Sequence, residues 1–164
     1  MSAAAGATWW QRLRAVLLGQ LRQGITPEKI ALTLGIGLVL GMFPILGTTT
    51  ALCLALGALL RLNQPLLQLA NWAAAPLQLP AIYLFVRVGE HLTRTAPVPF
   101  AIEALIGRFR AAPLQFLRDF GMTGVRAVLA WLLIAPAIVA LIYALALPPL
   151  RRLARMRAAV RSGG

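Results

Sequence analysis

The chain has 164 residues, 60% hydrophobic and 12% charged, with a mean hydropathy of +0.79. That excludes an ordinary soluble domain, because a chain this short cannot bury so much apolar surface. Sixteen basic residues against four acids give a net charge of +12, and they flank the apolar runs, at 12–29, 87–126 and 151–161. This placement points to anionic lipid headgroups rather than nucleic acid.

Three stretches, 30–60, 62–86 and 127–150, carry no charged side chain, and each is long enough for a membrane span. The fold class expected is therefore all-α, a polytopic integral membrane protein. Cys53 is the single cysteine, so no internal disulfide can form and a metal cluster is not expected.

Residues 1–23 read as an amphipathic interfacial helix, running from Thr8 to Gln23 with Thr8 as its cap. Trp10, Leu13, Leu17 and Leu21 share its apolar face. A soluble helix packed on the rest of the protein is the alternative. Arg12 and Arg14 interrupt the apolar stretch, which excludes a secretory signal.

The membrane domain covers 24–150. Thr26, Pro27 and Glu28 form a compact helix start: a cap, a residue suited to the first turn and a charge matched to the dipole. The run 27–61 is too long for one upright pass at ~1.5 Å per residue. It carries its own break at Phe43–Thr50, where Pro44 cannot donate a backbone hydrogen bond and Gly47 permits unusual dihedrals. Thr33, Gly37 and Gly41 recur at four-residue intervals before the break, and Gly47, Ala51 and Ala55 after it. Two such stripes predict a tight antiparallel hairpin packed through small residues.

Segment 64–86 is interrupted by Pro76 and Pro80 and carries Gln68, Asn71 and Gln78 at membrane depth. Irregular backbone there must be buried in protein or line a cavity. Segment 87–124 reads as an amphipathic connection with short surface helices, one starting at Pro113. A transmembrane helix is expected over 125–147, with Trp131 and Tyr143 as interfacial anchors and Pro148-Pro149 as its stop. A basic cytoplasmic tail, 151–164, follows. Basic residues dominate both ends, so both termini are expected on the cytoplasmic side.

Gly24-Ile-Thr-Pro-Glu-Lys-Ile-Ala, Gly41-Met-Phe-Pro-Ile-Leu-Gly-Thr-Thr-Thr50, Arg61-Leu-Asn63 and Asn71 with Pro76 together resemble an uncharacterised bacterial membrane family, domain of unknown function 2062. The resemblance covers roughly residues 20–150. It implies a bacterial inner-membrane protein; in some relatives the domain is joined to glycosyltransferase-type domains, which implies envelope chemistry. The family's second motif usually reads Asn-Pro followed by Leu-Thr, whereas this chain has Ala75-Pro76-Leu77-Gln78, one polar side chain fewer at the second break.

The acids Glu28, Glu90, Glu103 and Asp119 are not paired at a spacing suited to shared acid–base work, and His91 is the single histidine. No catalysis, metal or cofactor is expected. The candidate site is the polar membrane constellation Phe43, Pro44, Gly47, Thr48, Thr49, Thr50, Asn71, Pro76 and Gln78, since discontinuous helices with polar loops build many transporter sites. The bland reading is that these groups only satisfy backbone at two kinks. Two functions remain: a small transporter-like or permeation module, which would act as a homo-oligomer, or a non-catalytic scaffold for envelope or lipid-linked glycan enzymes.

Overall fold

The computed structural model describes residues 25–98 and 102–162. Among them every regular element is an α-helix: α1 Pro27–Gly41, α2 Thr49–Leu59, α3 Gln64–Ala73, α4 Ala75–Leu92, α5 Ile102–Ala111 and α6 Pro113–Ser162. The interfacial helix expected over residues 8–23 lies outside the described residues.

Local chemistry sets the boundaries. Thr26 caps α1 by accepting from the Lys29 amide at 3.3 Å, and Asn63 caps α3 by accepting from Leu66 at 2.9 Å. Each helix has proline in its first turn, where a missing N–H costs nothing. The end of α1 tightens, with Met42 and Phe43 donating to Val39 and Leu40. Gly47, at φ +82°, then turns the chain into α2. Arg61 ends α2 in the left-handed region, with Leu62 N–H returning to the Gly57 carbonyl at 2.8 Å.

α1 is the central helix, flanked by α3 and α6. It runs antiparallel to α6: Glu28 meets Arg151, Gly35 meets Val139, and Val39 meets Trp131. α4 packs on α6 near Gly89, where a Cβ would run into the Arg126 carbonyl. One buried cluster centres on Val39, Leu40, Phe43, Phe85, Ala130 and Trp131; a second joins Ile30, Ala31, Leu66 and Leu150 at the opposite end of α1.

Four expectations are corrected. The small-residue stripes do not pack on each other in a 27–61 hairpin. Gly37 lies against Leu67 and Ala70, and Gly41 against Asn71 and Ala74, so α3 takes the place reserved for α2. Thr33 is buried but spends its hydroxyl on its own helix, donating to the Lys29 carbonyl at 2.7 Å, while Ala51 and Ala55 are exposed. The packing face of α2 is instead Cys53 and Gly57, with Gly57 against Gln64 and Leu67.

The break in 64–86 falls at Ala74, where α3 and α4 meet at 67°, and Pro80 stands inside a continuous α4. Pro76 explains the position: it has no N–H to donate to the Trp72 carbonyl and its ring crowds that carbonyl, so α3 cannot run on through it, while it fits the first turn of a new helix.

The connection 87–124 and the helix 125–147 are not separate units either. α4 absorbs 87–92, and α6 runs unbroken from Pro113 through Pro148-Pro149 to Ser162. Tertiary contact offsets the hydrogen bonds these prolines forfeit: Leu150 is buried against the Ile30–Leu66 cluster, and Arg151 Nε donates to Glu28 Oε1 at 3.0 Å. Trp131, finally, is a core residue rather than an interfacial anchor. It is 9% exposed, donates to the Val39 carbonyl at 3.2 Å, and packs edge-on against Phe43 at 5.0 Å.

Within α6, Pro113–Met156 is the one stretch among the described residues long and apolar enough to cross a membrane; the bent α3–α4 pair is a second if counted as one span.

Candidate functional site

The two breaks meet. The tip of the first, Met42–Thr48, leaves carbonyls without the intrahelical partners that a continuous helix would supply. A side-chain amide from α4 reaches the tip, and one from α3 reaches the first turn of α2. Gln78 Nε2 donates to the Phe43 carbonyl at 3.4 Å, and Gln68 Nε2 donates to the Thr50 carbonyl at 3.3 Å. Asn71, itself buried, donates to Gln68 Oε1 at 3.4 Å and so orients that glutamine. Further along the same face, Gln64 Nε2 donates to the Leu54 carbonyl at 3.1 Å, leaving its buried Oε1 without a hydrogen-bond partner.

Gln64, Gln68 and Asn71 succeed one another at helical spacing, so α3 presents one edge of amides to α2. Amides suit this position because each both donates and accepts, without the desolvation cost of a charge.

The predicted site residues divide accordingly. Phe43 and Pro44 are buried at the tip, and Phe43 supplies the carbonyl that Gln78 holds. Asn71, Gln78 and the backbone of Thr50 belong to the amide network. Thr48 turns its hydroxyl back on the Ile45 carbonyl at 2.9 Å, while Thr49 is half-buried beside it. Gly47 and Pro76 are exposed; they shape the two breaks rather than line the contact. Sequence reasoning missed Gln64, and it missed that Trp131 closes the tip from the α6 side. The i, i+4 repeat of Gln64 and Gln68 was the available signal for the first.

A second buried polar group stands apart. Glu90 is 4% exposed near the end of α4; its Oε2 pairs with Arg87 Nη1 at 2.8 Å and its Oε1 accepts from the Val98 amide at 2.7 Å. It therefore ties the loop after α4 to the helix. His91 beside it is exposed. Among the described residues no three His, Cys, Asp or Glu side chains stand close enough to hold a metal ion. At the opposite end, the Glu28 carboxyl is held below its ordinary range by its own backbone N–H at the start of α1 and then by Arg151.

The molecule is thus an all-helical bundle, with one helix among the described residues long and apolar enough to cross a membrane, in which two interrupted segments are joined by side-chain amides. The chain belongs to the family described as an uncharacterized protein conserved in bacteria, DUF2062, whose family model matches residues 10–159. No curated protein and no solved structure matches it.

Proposed function

We propose that the protein is a multi-pass protein of the bacterial inner membrane and that its two discontinuous segments form a small transporter-like module. One observation carries this reading: groups from two separately broken segments converge, through Gln78 on the Phe43 carbonyl and Gln68 on the Thr50 carbonyl. Broken helices facing each other at membrane depth are the usual frame of a transport site.

Counting α6 and the bent α3–α4 pair as spans, with α1–α2 as a re-entrant hairpin, gives two full crossings. That count suits cytoplasmic placement of both termini under the positive-inside rule. No catalytic step is invoked; Glu28 and Glu90 are each engaged by an arginine. The hydrogen bonds from the side-chain amides are direct, which makes this a closed arrangement. The same directness favours the second reading, a non-catalytic scaffold for envelope enzymes in which the amides only satisfy kinked backbone.

Thiol labelling of Thr49→Cys in a Cys53→Ala background, in intact and permeabilised cells, separates the two. Reaction with a membrane-impermeant reagent from one side places the break in water, as the transport reading requires. Protection under both conditions in a folded protein leaves the scaffold.

A further inference from the structure

Beside the amide network, and not part of it, a groove of about 590 Å³ runs between α1, α2 and α6. Its walls include Ile36, Leu56, Leu60, Ala135 and Tyr143, with Trp131 closing one end. The distance along α6 from Trp131 to Tyr143 is ~18 Å, close to the depth of one leaflet of a ~30 Å hydrocarbon core.

The other end is cationic. On α1 the groove-lining residues Leu32 and Ile36 continue one turn back to Lys29, which is exposed. On α2 the lining ends at Leu60, and the next residue is the exposed Arg61. Lys29 and Arg61 both adjoin one end of the bundle along the chain: Ile30, next to Lys29, shares a buried cluster with Leu66, which opens α3 directly after the Arg61 turn. The ion pairs among the described residues are Arg87–Glu90 and Arg151–Glu28, so neither Lys29 nor Arg61 is matched with a carboxylate there. Arg61 also holds φ +51°, a conformation glycine adopts at lower cost.

We infer that this groove seats one acyl chain of an anionic phospholipid, with the phosphate between Lys29 and Arg61. The inference rests on the membrane reading above and adds a ligand class and site to it. An apolar trough of leaflet depth takes the chain, and the paired cations at its mouth select the headgroup charge.

The test uses the full chain reconstituted in vesicles of equal phosphatidylglycerol and phosphatidylcholine. A photoreactive p-benzoylphenylalanine replaces Leu56 in the groove or Leu133, which is 68% exposed on the outer face of α6. Mass spectrometry then identifies each adduct. The expected result is phosphatidylglycerol in excess at position 56 and no headgroup preference at 133. Arg61→Gln should lower the excess about fivefold, the size of one cation's contribution near a lipid surface.

Native mass spectrometry of the unmodified chain and its Lys29→Gln and Arg61→Gln variants should show the same loss of retained phosphatidylglycerol. Equal headgroup ratios at both positions overturn the inference. So does an adduct at 56 that is a second copy of the chain or its own residues 1–24. Release of the protein from vesicles by alkaline carbonate would instead overturn the membrane reading itself.

Discussion

At Gly37 and Gly41 one methyl group decides whether α1 can reach α3. A Cβ at Gly41 would stand 2.6 Å from both the Ala74 Cβ and the Asn71 carbonyl oxygen, and backbone cannot swing aside as a flexible side chain would. Gly41→Ala should destabilise the fold by about 1–3 kcal/mol, read as a lower unfolding midpoint in detergent. Gly121→Ala is the matched control: nothing lies within 4 Å of its added Cβ. There the gain of about 0.5–1 kcal/mol from replacing a mid-helix glycine should appear instead. If both substitutions shift the midpoint alike, the close approach of α1 and α3 is wrong.

Between elements, the Gln78 side chain does for the Phe43 carbonyl what a continuous helix would otherwise do internally. Gln78→Leu removes the donor to the Phe43 carbonyl and should cost about 0.5–1.5 kcal/mol, while Gln68 still holds the start of α2. In the Thr49→Cys background the same change should speed thiol labelling, because one of the bonds closing the tip is gone. Unchanged labelling and stability together would remove Gln78 from the network.

The long α6 depends on a different contact. Proline at 148 and 149 withholds two backbone donors, so the helix beyond them is held from outside by Leu150. Leu150→Ala should cost about 2–5 kcal/mol and accelerate tryptic cleavage at Arg151 and Arg152. Cleavage at the wild-type rate would show that the prolines need no such anchor.

Across the whole molecule, Glu28 and Arg151 clasp the beginning of the described chain to the far part of α6. The Glu28 carboxyl is held below its usual 4.5 by hydrogen bonding at the start of α1 and by Arg151. A depressed carboxyl contributes stability above its unfolded pKa and loses it as pH falls through the folded one. Wild type should therefore melt slightly above Glu28→Gln at neutral pH, with the gap closing once pH drops through the region below 4.5. The effect should be small and shrink in salt, since both partners are exposed. A gap that persists in acid would assign the difference to packing instead.

Several features needed no tertiary information. Proline and glycine act on their own neighbours, so Pro44 and Gly47 marked the first break, and Thr26-Pro27 marks a helix start that the structure retains. Charge-free runs are sums over the chain, and they sufficed for the helical class and for an apolar stretch of α6 long enough to cross a membrane. Family membership was legible too, because its motifs are local strings.

Which stripe meets which helix was not legible. A small-residue face says only that something approaches closely; α3 won Gly37 and Gly41 because its own Ala70 and Ala74 fall opposite them. Trp131 looked like an anchor because a tryptophan near a helix end has no local sign of burial, and it became core when the first break folded onto it. Pro148-Pro149 looked like a stop because local hydrogen bonding says so, and Leu150, seated against Ile30, Ala31 and Leu66 from far earlier in the chain, decided otherwise.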